Sequence, residues 1–454
     1  MRKRHAILAA PLLLGAALSA QTFAPSGYVT AFAYAAPEKS LPIDAAGLRG
    51  ALNGSGTLGD AVSYGLSLEA YGKAFDMAAA KYGGAVKNSW YAPASFEVTY
   101  DEETVFACDL KEAWVGFALG DFDLTVGKQL VTWGQADGTN PTDNINPRYV
   151  GTRSVSTAAE RKMGIPMVNV VYNLPGNAGN VQGIFIPYSV PNRMPYMGSF
   201  LSTAEIPLDV SSMEGGVRAI VYPGSLSVSA SYLTILDRYP SDIVAYTTQT
   251  FGPVTVTTPS ALGHNRQHVF GLDAVWLIGG FDLRTEWAYT MTKDFDGTDP
   301  YARNPFVTGV VQASRTFIDG TTTLTLSWSP TYIFNFTKPV VSPMIPVNVR
   351  PYYYRLYIGQ GYEFENMVGL RAQTKLLNET IQPEAMFLTG LSARDWLATL
   401  SVGVNIADGW NLKAGANFYG SFRDPSDVEM KFGTFSNDNL IDADSIYLEL
   451  RFDF

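Results

Sequence analysis

Residues 444–454 read DSIYLELRFDF, and this stretch decides between the folds open to the chain. Successive side chains of a strand point to opposite faces. Ile446, Leu448, Leu450, Phe452 and terminal Phe454 therefore share one side, and Tyr447, Glu449, Arg451 and Asp453 share the other. The same two-faced pattern recurs upstream. Trp410, Leu412, Ala414, Ala416 and Phe418 alternate with Asn411, Lys413, Gly415 and Asn417. Trp396, Ala398, Leu400, Val402, Val404 and Ile406 stand against Thr399, Ser401, Gly403 and Asn405. Leu324, Leu326 and Trp328 oppose Thr323, Thr325 and Ser327, and Phe281, Leu283, Trp287 and Tyr289 oppose Asp282, Arg284, Glu286 and Thr290. Such runs suit the roughly 9 to 11 residues with which a tilted strand crosses a bilayer.

The turns agree. Gly120-Asp121, Pro223-Gly224, Gly279-Gly280, Asp319-Gly320 and Asp408-Gly409 are tight-turn dipeptides joining pairs of these strands. Long polar stretches near 74–107, 131–165, 190–215, 236–266, 335–361 and 421–443 lie between the hairpins. The pattern predicts strands at 27–34, 46–54, 61–73, 108–119, 122–130, 166–173, 181–189, 216–222, 225–235, 267–278, 281–291, 305–316, 321–334, 362–376, 381–390, 395–406, 410–420 and 444–454. That is eighteen, or sixteen if the weak first strands fail. Short and long connections alternate along the list, as in up-and-down barrels, with a short link near Leu391–Arg394 as the exception. A soluble sandwich or propeller would alternate too. The aromatic ending separates them, because it resembles the C-terminal signal by which bacterial outer-membrane barrels are recognised by their assembly machinery. The fold class expected is all-β, a transmembrane antiparallel up-and-down barrel, whose closure satisfies every backbone amide in lipid.

Composition narrows the function classes. Of 454 residues 46% are apolar and 16% charged, the profile of a folded chain. Thirty-two basic against 42 acidic residues give a net charge of -10 without a basic block, which excludes a nucleic-acid partner. One cysteine, Cys108, can form neither an internal disulfide nor a thiolate metal site. Beyond the N-terminus no apolar run reaches the length of a membrane helix. Arg2, Lys3 and Arg4 precede the apolar segment Ala6–Ala17, the layout of a secretory signal peptide spanning 1–24, cleaved after Ser19 or after Ala24. Its removal leaves 29 basic and 42 acidic residues on a single barrel domain, 25–454.

With the greasy faces turned to lipid, the lumen inherits Glu69, Glu112, Asp273, Glu286, Glu365, Glu384, Glu449 and Asp453 against Arg218, Arg284, Arg371, Lys375, Lys413 and Arg451. Eight acids against six bases argue for weak selectivity, since a strongly selective constriction shows a ring of one sign. Register about Gly279-Gly280 places Asp273 opposite Glu286 with Arg284 diagonal to Asp273, where it would relieve the two carboxylates. Lys111 and Lys128 fall on the lipid face, with stems long enough to snorkel. The tyrosines and tryptophans are expected in interfacial girdles. Arg350-Pro351-Tyr352-Tyr353-Tyr354-Arg355-Leu356-Tyr357 offers flat rings between guanidinium groups, either girdle or cargo contact.

The least generic stretch is 110–150, LKEAWVGFALGDFDLTVGKQLVTWGQADGTNPTDNINPRYV. Glu112-Ala113-Trp114 leads through a tight turn to Val126-Gly127-Lys128-Gln129 and then Trp133-Gly134. A loop carrying Asp137, Asn140, Pro141, Asp143, Asn144, Asn146 and Pro147 follows. Short Asn and Asp side chains bond their own backbone and favour compact turns, and the prolines stiffen them. Two placements stay open: folded into or over the pore, or extended outside it. The passage resembles the "GRQ…WG…NP" segment of large bacterial outer-membrane barrels related to the alginate-export and capsule-assembly barrels, with Lys128 in place of the arginine. Ile184-Phe185-Ile186-Pro187-Tyr188 and Pro191-Asn192-Arg193-Met194-Pro195 resemble a later passage of those barrels. The resemblance implies a porin-like conduit, in some members working beside an RND-type inner-membrane exporter.

Catalysis finds little to stand on. His5 leaves with the signal, and His264 and His268 sit at a loop-to-strand junction where a metal pair or a base is a weaker reading than incidental placement. No G-x-S-x-G elbow occurs. The expectation is a channel or export conduit for passive passage of small or amphiphilic molecules, without cofactor or metal. Its partners would be outer-membrane lipids and the assembly machinery. The alternative is a plugged surface barrel that binds carbohydrate through its loops.

Overall fold

The computed structural model describes residues 22–35, 45–76, 95–100, 103–138, 140–148, 161–192, 202–240, 242–251, 254–299, 302–317, 320–337, 360–423 and 444–454. Residues 1–21 of the signal segment, Arg193 to Pro195 and the tyrosine-rich stretch 350–357 lie outside these residues.

Eighteen antiparallel strands form the wall, numbered here in chain order. They are β1 Thr22–Ala35, β2 Ala45–Leu58, β3 Val62–Asp76, β4 Glu103–Leu119, β5 Phe122–Gln129, β6 Ile165–Asn173, β7 Gly179–Ile186, β8 Glu214–Val221 and β9 Leu226–Leu236. The rest are β10 Arg266–Ile278, β11 Phe281–Met291, β12 Phe306–Phe317, β13 Thr322–Ile333, β14 Phe364–Thr374, β15 Ile381–Gly390, β16 Asp395–Ala407, β17 Trp410–Ser421 and β18 Ser445–Asp453. Every expected strand has its counterpart, so the wall holds eighteen and not sixteen. Each strand pairs with the next, and β18 pairs with β1 from Tyr28↔Asp453 to Ala35↔Ile446, which closes the cylinder. The seal is completed by Gly27 and Phe454, whose amides and carbonyls bond reciprocally at 2.9 and 3.0 Å. A side chain at Gly27 would strike the Phe454 ring and the Ala51 carbonyl.

Alternation sorts the wall as the pattern predicted. Leu48, Leu52, Leu272, Leu326, Leu370, Leu400, Ile446 and Leu448 are exposed on the outer face. Rings cluster in two belts. Near the long-loop end Tyr232, Phe270 and Tyr289 pack in series, with centroids 5.1 and 6.3 Å apart, and Tyr332, Phe334 and Phe364 continue the row. Near the short-turn end Trp410 packs on Phe452, and Phe452 on Phe454. On β11, Phe281 and Tyr289 are eight residues apart, so at about 3.3 Å per residue and a tilt near 40° the belts stand roughly 20 Å apart, close to the apolar band of outer-membrane barrels.

The long connections hold more structure than expected. A hairpin of Asp242–Phe251 and Val254–Gly263, with Ser202–Thr203 alongside, rises within the stretches read as 190–215 and 236–266. Ser95–Tyr100 pairs with the start of β4 inside 74–107. Thr- and Val-rich segments such as 254–258 pair with each other wherever a turn lets them, whether or not lipid covers either face.

Candidate functional site

The chain leaves the wall at Gln129 and rejoins it at Ile165, and between them residues 130–138 and 140–147 run inside the barrel. Of the two placements the motif allowed, the folded-in one is observed. Asn146 stands in for a missing strand partner at the point of departure. Its Oδ1 accepts from Val131 N at 2.7 Å, and its Nδ2 donates to the carbonyls of Gln129 and Met163. Pro147 adds a carbonyl that accepts from Met163 N.

An apolar pin follows. Trp133 is 1% exposed and sits with Ile145 among Ile165, Met167, Ile184 and Leu233. Its indole N–H donates to Gln182 Oε1 at 2.8 Å, the partner a buried indole requires. Ile184, Leu233 and Ile235 lie on the same face as the polar Gln182, Ser229 and Ser231, so the inner wall is greasy here at the long-loop end.

Deeper in, the loop closes around one carboxylate. Glu286, on β11 at mid-wall, is 0% exposed. Its Oε2 accepts from the backbone N–H of Gln135 (3.1 Å) and Ala136 (3.2 Å), and its Oε1 accepts from Thr142 N (2.8 Å) and Thr142 Oγ1 (2.7 Å). Gly134 makes the approach possible: its φ is +87°, and a Cβ there would lie 2.3 Å from Glu286 Oε1. Beside it Gln135 Nε2 reaches Asp273 and Ser227, and Asp137 N donates to Gln312 Oε1 at 2.8 Å. Arg284 Nη1 donates to Gln135 O at 2.8 Å and faces Asp137 at 3.3 Å. The loop thus rests on the inner wall from β7 to β12.

This arrangement corrects one expectation. Asp273 does stand opposite Glu286, but Arg284 does not reach it. Asp273 is held by Arg218 at 3.2 Å and by Ser229, Arg284 is taken by Asp282 at 2.7 Å, and Glu286 is satisfied by loop donors. Three carboxylates on neighbouring strands each found a separate partner, because the loop brought hydrogen-bond donors that a wall-only register leaves out.

The rim end of the loop is held by ions. Asp143 is bracketed by Arg148 (2.8 Å) and Lys162 (2.6 Å), with Asn140 O accepting from Asp143 N and Pro141 O from Asn144 Nδ2. Arg238 forks onto Glu214 at 3.0 and 2.7 Å while also donating to Ile145 O and Val190 O; both charged groups are buried. Neither residue was singled out by sequence reasoning, nor were Thr142, Gln182 and Gln312. A Thr or Gln in a polar strand carries no distinguishing signal.

Elsewhere on the inner face, Glu112 accepts from Leu130 N, Arg371 pairs with Glu384 at 2.7 Å, and Lys413 stands opposite Glu449, which faces Arg49 at 3.7 Å. Arg451 bonds Asp453 and covers the Tyr28 ring at 3.9 Å. Lys375 sits past the end of β14, paired with Glu379 in its own turn at the short-turn mouth. Lys111 is not on the outer face, whereas Lys128 keeps the outward register of Val126. Ser67 pairs with Glu112 and Leu68 with Leu110, so Lys111 is the extra residue of a bulge, and its ammonium turns in to Glu69 at 2.5 Å. Lys128 reaches Asp109 at 3.3 Å, and both lysines are covered, Gly164 packing against them.

His264 is half-buried near the rim, where Nδ1 donates to Asp237 O at 2.6 Å, and its partial burial pushes its pKa below the usual imidazole value. His268 bonds Tyr232 Oη on the outer face instead. The two share no partner, and among the described residues no group of three or more His, Cys, Asp or Glu side chains converges as metal ligands would.

A closed eighteen-stranded antiparallel barrel, greasy outside and polar within, with a segment folded inside, is the architecture of an outer-membrane porin-like channel. The family model described as "Protein of unknown function (DUF1302)" matches residues 79–340, more than half of the chain, and the chain belongs to that family. Among solved structures it is similar to Acinetobacter baumannii OccAB2, with 9% identity, a TM-score of 0.52, and coverage of 96% of this chain and 98% of that one. Pseudomonas aeruginosa OccK9 (OpdG) matches at 13% identity with a TM-score of 0.49 over 96% and 98%. A triple mutant of the Rh. blastica porin matches at 11% identity with a TM-score of 0.41 over 95% and 100%. At these identities the likeness is one of fold. No curated protein matches the chain.

Proposed function

We propose that the chain is an outer-membrane channel, a passive conduit for small or amphiphilic solutes whose lumen is narrowed by residues 130–138 and 140–147. The observation that carries this reading is the loop's anchorage at mid-wall, four hydrogen bonds converging on Glu286, inside a cylinder whose remaining inner face is polar. A loop lying against the wall from β7 to β12 reduces the bore. Long loops face outward from the cell and short turns face the periplasm. Residues 1–24 act as the export signal, and the strand ending at Phe454 serves the assembly machinery through Ile446, Leu448, Leu450 and Phe452. Lipid bathes the outer rings. Nearly balanced inward charge makes the pore weakly selective. Kinship with the alginate-export and capsule-assembly barrels, and service beside an RND-type inner-membrane exporter, belong to the same proposal and rest on Gly127-Lys128-Gln129, Trp133-Gly134 and Asn146-Pro147. Purified protein in a planar bilayer should give discrete ion steps. A silent protein that retains glycan affinity would instead identify a plugged, carbohydrate-binding surface barrel.

A further inference from the structure

Below the tip of the inserted loop, toward the short-turn mouth, the inner wall holds a recess of about 490 Å³. That lies within the roughly 300 to 1,000 Å³ typical of small-molecule sites. Asp137 forms its roof, and Asp282, Arg284, Arg371 and Gln373 contribute the wall. Two hydroxyl rungs cross its floor, Ser314 with Thr325 at 2.8 Å and Thr316 with Thr323 at 2.9 Å.

The charges in the recess are already matched. Arg284 makes three contacts with Asp282 at 2.7 to 3.1 Å and faces Asp137, while Arg371 Nε bonds Glu384 at 2.7 Å. Two guanidinium groups therefore meet three carboxylates, and a simple ion of either sign finds no concentrated opposite charge. Apolar solutes find little as well: by register Leu277, opposite Asp282, is the apolar side chain that shares the inward face here, and it is 59% exposed. Hydrogen-bonding capacity is what remains. In each hydroxyl rung two O–H groups share one bond, so one donor and several lone pairs stay available. Gln373 gives its N–H to Glu384, leaving its carbonyl oxygen, and Arg371, which lines the recess, bonds Glu384 through Nε, leaving its Nη groups to other acceptors among the described contacts.

From this chemistry we infer that the recess is a subsite for a neutral, hydroxyl-rich solute of mono- to disaccharide size. The inference rests on the channel reading, since the recess opens on the same lumen. Donors and acceptors arrayed in rows meet vicinal hydroxyls, and paired charges orient them without trapping an ion.

The experiment is solute block of single channels in a planar bilayer. Glucose or sucrose is added on the short-turn side, with glycine betaine as a control of small size that lacks hydroxyls. Sugar should lower the current in a saturable way at millimolar concentration, beyond its effect on bulk conductivity, and betaine should not. The double substitution Thr325→Val with Gln373→Leu should raise the half-blocking concentration at least fivefold, each variant referred to its own current, with heat-modifiable gel mobility showing an intact barrel. Conducting channels with no saturable block, or block equal for betaine, would overturn the subsite and leave the channel reading standing. If no current is seen, the channel reading fails. Saturation-transfer NMR with the same sugars on detergent-solubilised protein then decides the subsite: a signal lost in the double variant supports it, and no signal overturns it.

Discussion

Replacing Glu286 with alanine should free the inserted loop, and the size of the effect follows from its contacts. The carboxylate accepts three backbone N–H bonds and one hydroxyl bond, all from Gln135, Ala136 and Thr142. A net worth of about 1 kcal/mol per bond, the typical value for a protein hydrogen bond and a conservative one for four donors sharing one carboxylate, gives about 4 kcal/mol. Water entering the vacated space returns part of this, leaving about 2 to 4 kcal/mol. At 1.4 kcal/mol per factor of ten, the loop's open population should rise roughly thirtyfold to several hundredfold. Hydrogen exchange reads it directly, because the amides of Gln135, Ala136 and Thr142 are the donors released. Peptides covering 133–143 should exchange faster by that factor, and single-channel current should rise and flicker as the loop leaves the wall. Glu286→Gln keeps the shape but turns an NH₂ toward the donors, so it should fall between alanine and wild type. Exchange in 133–143 unchanged within threefold in the alanine variant would refute the assignment of Glu286 as the group that positions the loop.

Two further outcomes test the rim. Arg238→Met leaves Glu214 buried without its cation and strips donors from Ile145 O and Val190 O, so it should cost about 3 to 5 kcal/mol in denaturant unfolding of detergent-solubilised protein. Adding Glu214→Leu should recover much of that loss, and no recovery would place the damage elsewhere. His264, which sits beside Asp237, Arg238 and Glu214, has its pKa lowered first by burial, so the folded state holds fewer protons on it than the unfolded state. Its contribution is present above the unfolded value near 6.5 and is lost as pH falls through the folded value. The melting temperature should therefore drop more between pH 7 and 5 in wild type than in His264→Gln, and equal drops would contradict the assignment.

The wall was legible almost to the residue because one variable governs it. Each wall strand separates lipid from a wet lumen, so alternation, turn dipeptides and the spacing of hairpins all report the same boundary. The interior was less legible, for a reason visible at Lys111. One extra residue in β4 swings a lysine from the lipid face to Glu69, and nothing in a single chain marks a bulge. Arg284 shows the other limit. Its diagonal to Asp273 was sound for a bare wall, yet the loop donors to Glu286 and the neighbouring Asp282 and Arg218 rearranged the pairing. Contacts between residues 150 positions apart leave no periodic trace. The motif itself was found, with Trp133, Gly134, Asn146 and Pro147 all at positions the fold uses, but its placement inside the lumen was one of two open readings.

A signal for that placement does exist in the alternation, at the points where it breaks. Ile184-Phe185-Ile186 and Leu233 through Leu236 put apolar side chains on the inward face at the long-loop ends of β7 and β9, and Ile165 and Met167 do so on β6. A strand greasy on both faces must bury both, and lipid can cover only one. Three such strands close together demand an apolar object inside the cylinder, and Trp133 with Ile145 is that object. The polar contacts at Glu286 then set how deep it lies, since a carboxylate at mid-wall is satisfied only where Gly134 lets the backbone approach. Position along the pore thus follows from two independent features of the chain, an apolar patch near the rim and a buried acid below it. Moving the acid along β11, by Glu286→Thr together with Ala288→Glu, would pit a carboxylate against the apolar cluster and should expel the loop rather than raise it.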